Sequence, residues 1–178
     1  MNLDNVSIRK MNHADLETMA RWLSTEAVLK FYGDVNSPFS LQQVEKKYGP
    51  RIDGDVLVVP FIVELNGAPI GFMQYYKIEK CEQQTFGYPA NLDVYGIDQF
   101  IGVPSLFNKG LGTIMVKKFI VSIVETTDAD LVILDTAISN PRAIRCYEKC
   151  GFSKMQKINN GRSWLMAMQT SSQTSANL

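Results

Sequence analysis

Branched and aromatic apolar runs mark the strands of this chain. They are VSIRK (residues 6–10), DVLVVPFIVEL (55–65), IGFMQYYKI (70–78), VYGIDQFIG (94–102) and ADLVILDT (129–136), with SKMQKI (153–158) and RSWLMAM (162–168) near the end. Such runs are typical of strands because these side chains pack well on a pleated surface. Asn66 and Gly67 separate the second run from the third and predict a tight hairpin turn. NNG predicts another turn between the last two runs.

Apolar residues spaced three and four apart predict helices in most of the remaining chain. These helices are NHADLETMARWL (12–23), TEAVLKFYGD (25–34, ending at Gly33), SLQQVEKKY (40–48), LGTIMVKKFIVSIVE (111–125) and NPRAIRCYEKCGF (140–152). Their ends carry local signals: Asn12 and Asn140 as N-caps, Ser40 with Gln43 as a capping box, and Gly151 as a stop. The stretch EKCEQQTFGYPANLD (79–93) has poor periodicity and is predicted to be a loop.

The order of these elements predicts an α/β (α+β) fold. Strand, helices, hairpin, strand, helix, strand, helix and hairpin follow one another. We expect one sheet with helices on both faces, and the strand–helix–strand succession after Val94 predicts a parallel pair joined by a crossover. A single domain is predicted over residues 1–170, and the polar end at 171–178 is expected to be disordered.

Composition narrows the class of function. The chain carries 18 basic and 18 acidic residues, which disfavours a nucleic-acid-binding module because such modules are usually strongly basic. One histidine and three cysteines without a Cys-x-x-Cys spacing disfavour a metal site. No apolar run approaches the roughly 20 residues of a membrane span, and the N-terminal residues lack the apolar core of a signal peptide. We therefore expect a cytoplasmic chain that binds no metal, membrane or nucleic acid.

Gly110 and Gly112 stand between a predicted strand and a predicted helix. The stretch FNKGLGT does not fit a Walker phosphate-binding loop, and Met115 occupies the place of the third glycine in a dinucleotide-binding loop. A helix N-terminus offers unpaired N–H groups and about half a positive charge, and glycines let an anion approach the backbone. Taken alone, the loop favours a tight turn and an anion site equally.

Asp98 and Tyr147 raise the question of catalysis. Asp98 interrupts an apolar strand beside Gly96, which leaves room for a group to approach. It is either a residue on a solvent face or a functional carboxylate, since an unpaired buried charge is costly. Tyr147 shares the apolar face of its helix with Ala143 and Ile144, where a tyrosine usually packs.

The segments GIDQFIG, KGLGT, ILDT and NPRAIRCYEKCGF occur in this order and together resemble the Gcn5-related N-acetyltransferases. Within that family they are most similar to the aminoglycoside 6'-N-acetyltransferases, and the likeness runs from NGAPIGFMQYY to EKCGF, with a weaker likeness in LKFYGD. The resemblance implies a mixed, mostly antiparallel sheet and acetyl-CoA as cosubstrate. It also implies direct transfer of the acetyl group to the 6'-amino group of an aminoglycoside, which makes the host resistant to the antibiotic.

The resemblance implies a set of cofactor-binding residues. Main-chain groups of Lys109, Gly110, Leu111, Gly112 and Thr113 would hold the pyrophosphate, those of Phe100 and Ile101 would pair with the pantetheine amides, and Asn140, Ala143, Tyr147 and Lys149 would contact the rest of the cofactor. Phe107 stands where the family usually has glutamine or arginine, so this end of the loop lacks that polar contact but keeps its main-chain N–H groups.

Catalytic and substrate-binding roles follow from the same resemblance. Acetyl transfer needs a neutral amine, donors for the oxyanion and a proton for the leaving thiolate. Asp98 would serve the amine as a base, directly or through water, or as an anchor for the cationic substrate, and Tyr147 would protonate the thiolate. The aminoglycoside would also meet the carboxylates of Asp135, Glu82 and Asp93 and the rings of Tyr32 and Tyr48.

Two other functions fit the same features. The acceptor could instead be a protein N-terminus, a lysine or a polyamine, because carboxylates in a pocket suit all of these amines. A non-catalytic acyl-CoA sensor would bind the cofactor and contact a partner through its sheet edge, but the presence of both Asp98 and Tyr147 disfavours it. We expect a monomer or a homodimer whose small-molecule partners are an aminoglycoside and acetyl-CoA.

Overall fold

The computed structural model describes residues 5–170, so the tail predicted at 171–178 lies outside the described residues. A seven-stranded sheet has the order β1-β2-β3-β4-β5-β7-β6. Its strands are β1 (Val6–Lys10), β2 (Val58–Leu65), β3 (Ala68–Lys77), β4 (Val94–Ile101), β5 (Leu131–Ala137), β6 (Ser153–Ile158) and β7 (Ser163–Gln169). β4 pairs with β5 in parallel, whereas the ladders β1–β2, β5–β7 and β6–β7 are antiparallel. The predicted mixed sheet is confirmed.

Helices lie between several of the strands, mostly in the segments that the apolar spacing predicts to be helical. They are α1 (Leu16–Trp22), α2 (Glu26–Leu29), α3 (Leu41–Asp53), α4 (Lys80–Thr85), α5 (Leu111–Thr126) and α6 (Pro141–Lys149), with short 3-10 turns at His13–Asp15 and Pro104–Leu106. Between residues 5 and 170, no helix is both long and apolar enough to cross a membrane.

Local signals determine several helix ends. Asn12 and Asp15 form a capping box at the 3-10 turn that leads into α1, and Ser40 and Gln43 form the predicted capping box of α3. Each box satisfies main-chain N–H groups that have no partner inside the helix. Asn140 caps α6 as predicted, because its side chain accepts a hydrogen bond from the main-chain N–H of the third helical residue.

Positive φ angles confirm the predicted turns. Asn66 and Gly67 have φ values of 54° and 77° between β2 and β3, as a two-residue hairpin turn of this kind requires. Gly151 follows α6 with a φ of 99°. A glycine adopts this backbone conformation at little cost, and it therefore ends the helix.

Three segments differ from the prediction. α2 ends at Leu29 rather than at Gly33, and α3 continues to Asp53, with Gly54 at a φ of 81° as its stop. The predicted loop at 79–93 contains α4. The buried Gln83 holds this helix in place, because its Nε2 donates to the main-chain oxygens of Pro89 at 2.5 Å and Leu92 at 3.1 Å. Such a contact leaves no periodic apolar pattern in the sequence.

The chain folds into two compact units. The first comprises residues up to Gln74 together with Asp98–Met115. Its core consists of Met11, Leu16, Met19, Trp22, Leu23, Val44, Tyr48, Ile62 and Phe72. The second comprises Tyr75–Ile97 and the chain from Val116 onward. Its core consists of Ile78, Val94, Leu131, Ile133, Leu165 and Ala167. The single domain over residues 1–170 stays a prediction.

Candidate active site

Asp98 is the end of a short polar chain in the first unit. Its Oδ2 accepts a hydrogen bond from Gln74 Nε2 at 2.6 Å. Gln74 Oε1 accepts one from Arg51 Nη1, also at 2.6 Å. Gln74 is buried, whereas Asp98 and Arg51 are half-buried. The carboxylate is thus held from the α3 side through β3, and Asp98 is neither fully exposed nor unpaired.

A cavity of about 250 Å³ opens beside this carboxylate. It is lined by Leu23, Tyr32, Gly33, Phe39, Lys47 and Asp98. Its walls are therefore largely apolar, with one carboxylate, one ammonium group and one phenol. A few polar groups among apolar walls are typical of small-molecule sites.

Aromatic rings pack against one another in the first unit. Tyr32 lies 4.7 Å from Phe100 and 6.4 Å from Phe72, measured between ring centroids. Tyr48 packs edge-on against Phe72 at 5.4 Å and is fully buried. Tyr32 therefore lines the cavity, whereas the position of Tyr48 favours core packing.

Burial changes the acidity of the groups around the cavity. It raises the pKa of Tyr32 well above its ordinary value, and the charges of Tyr48 and Asp98 add to this. Burial also raises the pKa of Tyr48 to about 12. The pKa of Lys47 is lowered, first by burial and then by Arg51, although Asp98 acts in the opposite direction. Both phenols are therefore neutral at physiological pH.

The glycine loop precedes a long helix, as predicted. Asn108 and Gly110 have φ values of 61° and 82°, and α5 begins at Leu111. Lys109 and Gly110 are exposed, Gly112 is half-buried, and α5 is 16 residues long. The first N–H groups of such a helix have no partner within it and carry partial positive charge. This arrangement favours the anion site over a plain turn.

The end of β4 carries Phe100 and Ile101. The parallel ladder with β5 covers the first three residues of β4, from Val94 to Gly96, whereas the strand continues to Ile101. Phe100 and Ile101 therefore lie beyond the end of this ladder. Their side chains are half-buried.

Four predicted cofactor residues lie at α6 in the second unit. Asn140 is buried, and its Oδ1 accepts the N–H of Ala143 at 3.2 Å. Tyr147 is also buried, and its ring contacts that of Phe152 edge-on at 6.2 Å. Lys149 is the exposed last residue of the helix. Asn140 and Tyr147 thus both have structural roles, whatever they bind.

The second unit also carries three predicted substrate carboxylates. Asp135 lies near the end of β5, and its side chain is exposed. Desolvation by the surrounding protein nevertheless raises the pKa of Asp135, although a hydrogen bond with Ser163 acts in the opposite direction. Glu82 is exposed on α4.

Asp93 differs from the other two carboxylates because it is already paired. Its Oδ1 lies 2.7 Å from Lys77 Nζ and 3.8 Å from Lys80 Nζ. The hydrogen bond from Lys77 lowers the pKa of Asp93. These two lysines offset its charge, so Asp93 contributes less to an acidic surface than Asp135.

Gly96 does not provide the open space that the sequence suggests. A Cβ atom at Gly96 would lie 2.6 Å from the ring of Tyr76 and 3.0 Å from Ile78. The glycine therefore makes room for packing within the second unit. This interpretation of Gly96 is wrong, because the tyrosine ring from β3 fills the space.

Sequence reasoning missed Gln74, Arg51 and Lys47. Gln74 had a usable signal, since it is the one amide within the apolar run IGFMQYY, as Asp98 is the one carboxylate within VYGIDQFI. Arg51 and Lys47 had none, because charged residues are ordinary on a surface helix. In the region from residue 5 to residue 170, no group of three or more His, Cys, Asp or Glu side chains is placed to hold a metal ion.

Comparison with known proteins identifies the family. A family model described as an acetyltransferase (GNAT) domain matches residues 12–160. The chain belongs to the GNAT acetyltransferases. This GNAT chain is 32% identical over 155 residues to aminoglycoside N(6')-acetyltransferase type 1 of Klebsiella pneumoniae, which covers 87% of this chain and 77% of that protein. The same values apply to its counterpart from Serratia marcescens.

Solved structures agree with the GNAT fold. The structure of AAC(6')-Ib in complex with ribostamycin and coenzyme A matches with a TM-score of 0.79 and 28% identity, over 98% of this chain and 100% of that one. The family and fold that the sequence motifs indicate are both confirmed. The roles of the individual site residues stay predictions.

Proposed function

We propose that this GNAT protein is an aminoglycoside 6'-N-acetyltransferase that uses acetyl-CoA and confers resistance to these antibiotics. One observation carries the proposal: the similarity to aminoglycoside N(6')-acetyltransferases extends over 87% of the chain. A cavity with a carboxylate and apolar walls in the first unit supports it, because an aminoglycoside has both ammonium groups and apolar faces on its sugar rings. The cytoplasm is the proposed compartment, since the reaction consumes acetyl-CoA.

The start of α5 fits the diphosphate of acetyl-CoA. Leu111, Gly112 and Thr113 supply main-chain N–H groups at the positive end of a 16-residue helix. The left-handed conformation of Gly110 brings the chain into this turn, and the exposed Lys109 adds a positive charge. None of these contacts needs the side chain at Phe107, so its departure from the family pattern leaves the diphosphate site intact.

The end of β4 fits an extended amide chain. Phe100 and Ile101 lie beyond the ladder that β4 forms with β5. Their main-chain groups would bind the pantetheine amides as a neighbouring strand does, and an N–H group there would stabilise the developing oxyanion. The Phe100 side chain packs against the core of the first unit and anchors the strand there.

Asp98 is the proposed proton acceptor, and Tyr147 is the proposed proton donor. Acetyl-CoA supplies an activated acetyl group as a thioester. The amine nitrogen forms the new N–C bond, the C–S bond breaks, the amine proton passes to Asp98 directly or through water, and the thiolate takes a proton from Tyr147. A phenol with an ordinary pKa near 10 can donate to a thiolate whose thiol titrates near 8.5. We propose that Asp135, Glu82 and, more weakly, Asp93 attract the polycationic substrate.

A thiol-release assay on the purified protein tests this function. We expect free coenzyme A to accumulate with acetyl-CoA and kanamycin, and far less with an aminoglycoside that has a hydroxyl at the 6' position. Asp98→Asn keeps the size of the side chain and removes its charge, so turnover should fall about a hundredfold or more. Release of thiol at the wild-type rate by Asp98→Asn would remove Asp98 from the mechanism.

The same assay separates the alternatives. Turnover with a peptide N-terminus, a lysine or a polyamine but with no aminoglycoside would assign a different acceptor. Binding of coenzyme A by calorimetry without thiol release from any amine would indicate an acyl-CoA sensor. Either result would overturn the proposal.

A further inference from the structure

The hydrogen bonds that end at Asp98 connect three elements of the first unit. Arg51 lies in the last turn of α3, Gln74 in β3 and Asp98 in β4. We propose that Arg51 and Gln74 are positioning residues that orient the Asp98 carboxylate and keep it ionised. The proposal rests on the proposed function only where it concerns turnover, since the geometry of the carboxylate exists without substrate.

The hydrogen bonds from Arg51 to Gln74 and from Gln74 to Asp98 form a relay. Donor and acceptor chemistry fixes its direction. A guanidinium group only donates hydrogen bonds, so the group that faces Arg51 must be the oxygen of the Gln74 amide. The amide then turns its Nε2 toward Asp98, which accepts at 2.6 Å. An ionised carboxylate only accepts hydrogen bonds, so Asp98 favours the same orientation of the amide. Arg51 therefore reinforces this orientation and restricts the rotation of the Gln74 side chain.

Packing holds both members of the relay in place. Gln74 is only 5% exposed, so its amide has little freedom and depends on these two partners. The Arg51 guanidinium lies 5.0 Å from the ring of Tyr48, and Tyr48 packs against Phe72. The aromatic core thus anchors the arginine, and the arginine anchors the amide. A side chain held by packing and hydrogen bonds keeps a catalytic group in one orientation.

Several charged and titratable groups near Asp98 influence whether its carboxylate is ionised. Lys47 on α3 lines the same cavity, and Tyr32 and Tyr48 are phenols that interact electrostatically with Asp98. Both phenols have raised pKa values and stay neutral. Lys47 is a cation whose charge interacts with that of Asp98, the positive charge of Arg51 lies at the other end of the Gln74 amide, and Gln74 donates a hydrogen bond to the carboxylate. A donor to the charged form of a carboxylate lowers its pKa, so loss of the donor raises it.

Four variants test the relay. Gln74→Leu removes the donor, Arg51→Met removes the group that orients it, and the double variant removes both. Arg21→Met is the matched control, because Arg21 is an exposed arginine of the same unit whose Nη2 donates to Thr18 Oγ1 on its own helix at 2.7 Å. The first readout is NMR titration of the Asp98 carboxyl carbon in the protein without ligands, assigned with Asp98→Asn. The second is the pH profile of kcat/KM.

The relay predicts a specific pattern. Gln74→Leu should raise the titration midpoint of Asp98 by roughly one pH unit, and Arg51→Met should raise it in the same direction. The double variant should raise it by less than the sum of the two single shifts, because part of the effect of Arg51 passes through the Gln74 amide. The acid limb of kcat/KM should move with the midpoint, and its plateau should fall about tenfold through loss of orientation. Arg21→Met should match the wild type.

Two results would overturn the proposal. Arg51→Met with a wild-type midpoint and pH profile would mean that Gln74 needs no orienting partner. Single effects that add in the double variant would mean that the two residues act independently. If Gln74→Leu fails to fold, the half-buried Arg51→Met decides alone. A wild type without acetyl transfer would refute the proposed function, while the NMR titration would still test the relay.

Discussion

Tyr147 combines a packing contact with a proposed chemical role. Its ring meets Phe152 edge-on at 6.2 Å and only 8% of its surface is exposed. The ring accounts for the packing, whereas the hydroxyl would protonate the thiolate. Removing the hydroxyl oxygen alone would therefore abolish the proposed chemical role and leave the packing contact.

Tyr147→Phe should lower kcat by about tenfold to a hundredfold, because it removes the acid and keeps the ring. The free energy of unfolding should change by less than about 1.5 kcal/mol, the net value of one neutral hydrogen bond. Phe152→Leu is the matched control, since it weakens the ring contact and keeps the hydroxyl. It should lower stability and leave kcat nearly unchanged. An unchanged kcat in Tyr147→Phe would assign Tyr147 to packing alone.

At the scale of elements, an ion-pair cluster joins β1 to the turn before α1. Arg9 contacts both oxygens of Asp15 at 2.7 Å, and its Nε reaches Glu64 on β2 at 2.7 Å. Burial alone would raise the pKa of Asp15, but the hydrogen bonds from Arg9 and from the main chain of Asn12 outweigh it, so its pKa is lowered. The ionised carboxylate therefore stabilises the folded state.

Asp15→Asn should reduce the free energy of unfolding at pH 7 by roughly 2 kcal/mol, because it breaks a buried charge-assisted pair. A folded-state pKa below the unfolded value makes this stabilisation present above about pH 4 and lost as pH falls through the folded pKa. The difference from wild type in urea unfolding should thus shrink in acid. Asp53→Asn is the control, since Asp53 pairs with His13 at an exposed site. Equal losses from both variants would contradict this account.

The glycine loop is the second feature to be tested at this scale. Gly110 has a φ of 82° at the start of α5. Gly87 has a φ of 78° in a loop of the second unit, where an added Cβ atom would meet no other atom within 4 Å. An alanine in this conformation costs about 1–2 kcal/mol. The two glycines share the same backbone requirement, but the diphosphate is proposed to bind beside only one of them.

Gly110→Ala should weaken coenzyme A binding roughly tenfold, because it moves the N–H groups that hold the diphosphate. Gly87→Ala should cost a similar amount of stability and leave the affinity unchanged. Isothermal titration calorimetry measures both affinities, and thermal unfolding measures both stabilities. Equal affinities in the two variants would place the diphosphate elsewhere.

For the whole molecule, features that depend on neighbouring residues were predictable and features that depend on distant ones were not. Asn12, Ser40 and Asn140 cap helices through main-chain groups two or three residues away, so the sequence reveals them directly. The parallel β4–β5 pair follows from the strand–helix–strand order. In contrast, α4 depends on Gln83 reaching Pro89 and Leu92, and no periodicity marks it.

The candidate site divides in the same way. The family motifs pointed to Asp98, Tyr147 and the glycine loop, and the resemblance supplied their roles. Gln74 contacts Asp98, and Arg51 contacts Gln74, only in the folded chain, since these hydrogen bonds join residues 24 and 23 positions apart. Gly96 shows the opposite case, because its apparent space is filled by Tyr76. Partners from other strands and helices are invisible to a pattern within one strand.

The most direct test of the central claim is the structure of the reaction product. Purified protein is incubated with acetyl-CoA and kanamycin, and NMR of the product locates the new acetyl group. We expect acetylation on the 6' nitrogen with the wild type, and little product with Asp98→Asn. An acetyl group on another amine, or unchanged kanamycin, would contradict the account.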